Sequence, residues 1–162
     1  MSRIVTITEI HAPIERVFDL ARSVDLHVQS AVESGETAVA GVTSGLLELD
    51  QEVTWRGKHF GVWRQLTSRV TAFSRPDYFR DSMVKGAFRE LRHDHFFNDH
   101  GNKTIMRDVF DFTAPFGFLG DAADRFFLRP HLKEFILERN RVIKRTAESD
   151  GWKAYLAGDS IP

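Results

Sequence analysis

His93 and His95 stand two residues apart in the run Arg92-His93-Asp94-His95-Phe96, with Asp81 upstream and Asp108 downstream of them. Imidazoles and carboxylates at such spacings are suited to two kinds of chemistry. The first is proton transfer, for which one His or Asp with a shifted pKa in a water-poor cavity is enough. Proton abstraction, aldol-type cyclisation and dehydration all fall within that range. The second is metal ligation, since two histidines on one strand face can be joined by a carboxylate from Asp81 or Asp108. No third histidine falls in phase with them, and His100 sits in the next turn, so no resident metal or cofactor is expected. Covalent hydrolysis is not expected either. The chain has no Cys, and Ser44, Ser68 and Ser82 lack the strand–turn–helix setting of an activated nucleophile. Gly41-Val42-Thr43-Ser44-Gly45 lacks the lysine of a phosphate loop.

Strand alternation decides which of these groups share a face. Over residues 87–97, Leu91, His93, His95 and Phe97 form the apolar phase, and Glu90, Arg92 and Asp94 belong in water. Over 104–112 the more apolar phase is Thr104, Met106, Asp108, Phe110 and Phe112, which carries Asp108 inward. The apolar phase of 60–70 brings Arg64 with it. Phe79, Asp81 and Met83 share a face, although the opposite phase is nearly as apolar. The predicted lining of an internal cavity is therefore Trp55, Phe60, Val62, Arg64, Phe79, Asp81, Met83, His93, His95, Met106, Asp108 and Phe110. Buried charges need partners, so Arg64 and Asp108 are expected to pair with one another or with a histidine. Two readings stay open here. The charged groups form a closed network that fixes the sheet, or one or two of them orient the polar end of a ligand.

The elements that position these groups are legible along the chain. Residues 3–10 alternate and are rich in β-branched side chains, which favours a strand. Pro13 opens a helix whose apolar stripe is Ile14, Val17, Phe18 and Ala21, and a second short helix is expected around Asp25–Ser30. Residues 33–50 hold a short strand and a loop. Strands are then predicted at Glu52–Lys58, His59–Phe73, Tyr78–Val84, Phe88–Phe97 and Thr104–Thr113, with Arg75-Pro76-Asp77, Lys85-Gly86 and Asn98–Asn102 as turns. Residues 117–129 read as a short helix or coiled lead-in. A long helix runs from Pro130 to about Ser149, burying Leu132, Phe135, Ile136, Ile143 and Ala147. The expected organisation is a single domain over 1–150 and a tail over 151–162 anchored by Trp152 and Tyr155. A curved antiparallel sheet exposes a concave apolar face, and the long helix is the only element large enough to cover it.

Composition narrows the function. The chain has 162 residues, and its 14 Phe against 2 Tyr suit an apolar lining as well as a core. Its 22 basic and 23 acidic residues are interspersed, which supplies no basic face for nucleic acid. No run approaches the length of a membrane span or a signal peptide. A soluble, cytoplasmic protein is expected.

Several motifs in this order resemble the START/Bet v 1-like (SRPBCC) superfamily. They are Ala12-Pro13-Ile14-Glu15-Arg16-Val17-Phe18 after the first strand, His93-x-His95-x-Phe97, Met106-x-Asp108, Pro115-x-Gly117-x-Leu119-Gly120, and Arg139-Asn140 followed by Ile143-Lys144. Together they are similar to the bacterial branch described as polyketide cyclase/dehydrase-like or ligand-binding, over about residues 3–148. Pro130 departs from the usual uninterrupted last helix. The resemblance implies an α+β helix-grip fold: a curved antiparallel sheet wrapped around a long C-terminal helix, with two short helices after the first strand. It implies a cavity between sheet and helix that takes a hydrophobic or amphipathic small molecule. The alternative is a cofactor-independent cyclase or dehydratase that uses His93, His95 and Asp108 as acid–base groups. A second copy of the chain is the other partner open to it, through Trp63, Phe73 and Trp152.

Overall fold

The computed structural model describes residues 1–114 and 127–156. Strand β1 (Ser2–Ile10) leads into helices α1 (Ile14–Ala21) and α2 (Val24–Ser30). Six strands follow: β2 (Thr37–Gly41), β3 (Glu52–His59), β4 (Val62–Ser74), β5 (Tyr78–Lys85), β6 (Glu90–Asp99) and β7 (Thr104–Thr113). The long helix α3 spans Arg129–Ala147, with Pro130 in its first turn, where a missing N–H costs nothing. The strands form one antiparallel sheet in the order β1-β7-β6-β5-β4-β3-β2. Helix α3 packs on β1, α1 and α2. This is an α+β helix-grip architecture.

The core is divided along the sheet. Where α1 lies over β6 and β7, Phe18 is fully buried and meets Phe73, Phe79 and Phe97 edge-on, at centroid distances of 5.3, 5.5 and 5.2 Å. Ile10, Val17, Met106 and Ile143 complete that cluster. Ile4, Leu91, Phe110, Phe112 and Ile136 form a second cluster, and Val24, Val53 and Trp55 a third. Trp152, Tyr155 and Leu156 pack against the first, with Arg16 stacked 4.4 Å from the Trp152 ring; residues 157–162 lie outside the described residues.

The structure corrects several expectations. The strand expected over His59–Phe73 is a hairpin: Phe60 and Gly61 take φ of 51° and 77°, and His59 pairs with Val62. Two left-handed residues in succession make the tight turn that joins twisted antiparallel strands. Phe73 is not a surface residue, because a register shift between Val70 and Ala72 returns it to the core face. With Phe73 and Trp152 both partly buried against the core, Trp63 alone of the three suggested contact residues stays more than half exposed, at 52 %. Asp94 is 5 % exposed rather than solvated. The Tyr78 hydroxyl and the Arg80 guanidinium donate to it at 2.5 and 2.6 Å across the outer face of the sheet. Of the lead-in expected over 117–129, residues 117–126 lie outside the described residues, as does the Pro115–Gly120 motif.

Phe18 joins helix to sheet through three ring contacts, so Phe18→Ala is expected to cost about 3–5 kcal/mol in urea unfolding. A loss below about 1 kcal/mol would show that this cluster does not carry the α1–sheet packing.

Candidate functional site

Asp108 is the centre of the polar cluster. It lies on the inner face of β7 and is 1 % exposed. His93 donates from Nε2 to Asp108 Oδ1 at 3.0 Å, and His95 Nδ1 stands 2.8 Å from the same oxygen, off the line of a well-formed hydrogen bond. Asn140 of α3 donates from Nδ2 to Oδ2 at 2.7 Å, and the Thr6 hydroxyl of β1 reaches it at 3.2 Å. Asn140 Nδ2 also lies 3.2 and 3.3 Å from the Thr6 and Thr8 hydroxyls. A buried carboxylate is tolerated when its lone pairs are filled in this way. Burial pushes the Asp108 carboxyl up, but its hydrogen bonds and the charges around it hold it well below the usual carboxylate range.

His95 stands between two carboxylates, with its Nε2 3.0 Å from Asp81 Oδ2. Burial alone pushes its pKa down; Asp108 and Asp81 outweigh that and raise it above the usual imidazole value. Burial pushes Asp81 up, while the His95 hydrogen bond, aided by His93 and Arg139, brings it down to about 2. His93 behaves oppositely to its neighbour. Burial and the adjacent His95, whose ring centroid is 3.8 Å away, lower it to about 4 against the pull of Asp108. It is therefore neutral at pH 7, with its proton on the Nε2 that faces Asp108.

Between the sheet and α3 lies a cavity of about 320 Å³. Of the predicted lining, Trp55, Phe60, Val62, Arg64, Phe79, Asp81, His93 and Phe110 are on its wall. Met83, His95, Met106 and Asp108 are not. All four keep the inward phase, but they are covered. Met106 lies under α1 in the first cluster, Met83 packs against the second beside Leu66, and Asp108 is sealed by Asn140. His95 is fully buried, stacked on Phe79 at 4.2 Å. The structure thus brings Asp81 and His93 to the cavity and leaves their partners behind the wall. Arg64 did not find the expected partner. It is exposed on the wall, with no ion pair among the described residues.

Sequence phase missed a second polar group on the same wall. His27 of α2 and His59 of β3 flank Glu36, with Nε2 to carboxylate distances of 2.5 and 3.5 Å. His59 Nδ1 lies 3.0 Å from His131 Nε2 of α3. Trp55 stacks on His27 at 4.0 Å, and Phe60 lies 4.6 Å from the His131 ring. Burial raises the Glu36 carboxyl, but the two histidines bring it down to about 2. These residues come from four separate segments, so no spacing announces them. Arg139 and Asn140 did carry a signal: they sit among Ile136, Val142 and Ile143 on the buried stripe of α3. Arg139 lines the cavity, and its Nη2 donates to the Ala21 carbonyl at 2.5 Å.

No protein-family model matches the chain, and no curated protein matches it in sequence. Solved structures do match it. The Zhui aromatase/cyclase from Streptomyces sp. R1128 superposes with a TM-score of 0.72 at 13 % identity, over 97 % of this chain and 98 % of that one. Major latex-like protein 151 from Panax ginseng gives 0.66 at 13 % identity, over 91 % and 98 %. A START superfamily protein from Mycobacterium smegmatis gives 0.64 at 12 % identity, over 90 % and 97 %. The chain has the helix-grip fold of the START/Bet v 1-like (SRPBCC) superfamily, as its motifs implied. Among the described residues no helix is long and apolar enough to cross a membrane.

The Glu36 cluster generates a pH prediction. Its folded pKa lies below the ordinary value of 4.5, so its contribution is complete above that value and fades as pH falls toward about 2. Glu36→Gln is expected to lower stability at neutral pH by on the order of 3 kcal/mol. The gap from the unmodified protein should close progressively below pH 4.5 in urea titrations. A gap that is independent of pH would contradict this assignment.

Proposed function

We propose that the protein binds a hydrophobic or amphipathic small molecule in the cavity between the sheet and α3. The observation that carries this reading is the make-up of the wall. Val53, Trp55, Leu66, Val70, Phe79, Phe110, Leu132, Phe135 and Ile136 supply an apolar surface, and it is interrupted by Asp81 and His93, by Arg64 and Arg139, and by the Glu36 cluster with its histidines. A volume of about 320 Å³ lies at the lower end of small-molecule sites, which are mostly apolar with a few placed polar groups. The guest is accordingly small, with an apolar body and a polar group that meets Asp81 and His93. The fold shared with a START superfamily protein and an aromatase/cyclase agrees with such a use but does not choose the guest.

A second reading has one observation in its favour. His93 is on the wall in its neutral form, with Asp108 behind it, which is the arrangement of an oriented general base. In a cyclase- or dehydratase-type reaction only His93 of the three acid–base residues would touch substrate. His95 and Asp108 would act through it.

Native mass spectrometry of freshly purified protein is expected to show one co-purifying organic molecule per chain, absent under denaturing conditions. Leu132→Trp fills the cavity from α3 and should weaken binding of a naphthalene-type fluorescent probe by about tenfold or more. Undiminished probe affinity in that variant would overturn the cavity reading. Turnover that His93→Gln abolishes without loss of probe binding would favour the second reading.

A further inference from the structure

Asp81, His93 and His95 do more than decorate a wall: one ligating atom from each lies within 4.8 Å of the other two. Spacing along β6 argues against a metal because no third histidine is in phase. The structure shows that none is needed, since Asp81 on β5 supplies the third donor from across the ladder, where it pairs directly with His93. We propose that these three residues bind a divalent first-row transition-metal ion, with Asp108 as the buried carboxylate that orients both imidazoles.

Three features on the page support a cation here. The first is donor geometry. His95 Nε2 and Asp81 Oδ2 are 3.0 Å apart, within the separation of about 3.0–3.4 Å that two bonds of about 2.1 Å span between right-angle and tetrahedral geometry. The ion takes the place of the proton that now joins this pair, and that proton leaves to water. His93 then closes on the same point by a small side-chain adjustment. The second is orientation. Metal-bound histidines characteristically present their other nitrogen to a carboxylate, which fixes the ring. His93 Nε2 and His95 Nδ1 both face Asp108 Oδ1, at 3.0 and 2.8 Å, and Asn140 and Thr6 hold Asp108 through its other oxygen. This arrangement leaves His95 Nε2 toward Asp81, and His93 ligates through the nitrogen it does not present to Asp108. The third is charge. Two carboxylates with two neutral imidazoles balance a dication in a site where a lone charge would be costly.

The donor set selects the class of ion. Two imidazoles and one carboxylate suit Zn²⁺, Fe²⁺, Co²⁺ or Ni²⁺ rather than Mg²⁺ or Ca²⁺, which favour all-oxygen sites. Asp81 and His93 are on the cavity wall, so the remaining coordination positions open toward the cavity. The site does not depend on what else the cavity holds.

The test is titration of chelator-treated full-length protein with ZnCl₂ and with CoCl₂, followed by calorimetry and by the visible Co²⁺ spectrum. One ion per chain is expected, with MgCl₂ giving no saturable binding. Asp81→Asn and His93→Gln should each weaken Zn²⁺ by at least about tenfold, and Asp108→Asn by about 10–100-fold, as for loss of an outer-shell carboxylate. His100→Gln in the β6–β7 turn should change nothing. In the unmodified protein, where folding of variants is not in question, Zn²⁺ should shift the ring nitrogen resonances of His93 and His95. Those of His27, His59 and His131 should stay in place. Absence of one-to-one binding would overturn the proposal. So would binding that survives Asp81→Asn but is lost in His59→Gln, which would put the ion at the other polar cluster.

Discussion

A single buried carboxylate organises this molecule. Asp108 has no route to water, so each of its oxygens must be filled by protein donors, and those donors come from three different elements. His93 donates to it from β6, Thr6 from β1 and Asn140 from α3, while His95 Nδ1 lies 2.8 Å away without a well-aligned bond. Leaving one of these places empty would cost more than the bond itself returns, because the carboxylate would be stranded in a medium that cannot solvate it. The register of β1, β7 and β6 and the seating of α3 are therefore tied to one point. That tie also sets the electrostatics around it: the His95 imidazole is pushed up, the neighbouring His93 is pushed down to about 4, and Asp81 is held at about 2 on the cavity wall.

The inner face of the sheet is shared between two tasks. Toward β1, β7 and the end of β6, helix α1 and the middle of α3 close over it and make a solid core around Phe18 and Met106. Toward β3, β4 and β5 the cavity lies between the sheet and α3, lined by residues of both. The polar cluster sits on the boundary. Its rear members serve the core and its front members, Asp81 and His93, face the cavity. The two readings left open by sequence, structural network and ligand-orienting group, are thus not exclusive: Asp108 and His95 are closed within the wall, and Asp81 and His93 stand on its cavity side.

How much of this was legible in sequence depended on whether one strand decided the matter alone. The inward phase of β6 and β7 could be read directly, because long runs with period two leave little choice of face. Asp108, His93 and His95 were placed correctly on that basis. What a face borders is another question, decided by which helix lies above it. That is why Met106, His95 and Asp108 share the predicted phase yet do not line the cavity. Local backbone departures were also hidden. Phe60 turns left-handed without the Asn or Asp that usually announces such a turn, and the register shift near Val70 reverses the face of Phe73. The burial of Asp94 needed the cross-strand neighbours Tyr78 and Arg80, and the Glu36 cluster needed four segments at once. Asn140 was within reach: a polar residue among Ile136, Val142 and Ile143 on a buried stripe requires a polar partner.

The protonation of the two histidines tests the role of Asp108 most directly. Nitrogen-15 NMR of the imidazoles in metal-free protein at about pH 6 distinguishes the tautomers of a neutral ring from a doubly protonated one. If Asp108 accepts from His93 and its charge lies against His95, His93 is neutral with its proton on Nε2, and His95 carries protons on both nitrogens at this pH. A neutral His95, or a His93 protonated on Nδ1, would mean that Asp108 does not hold the cluster in this way.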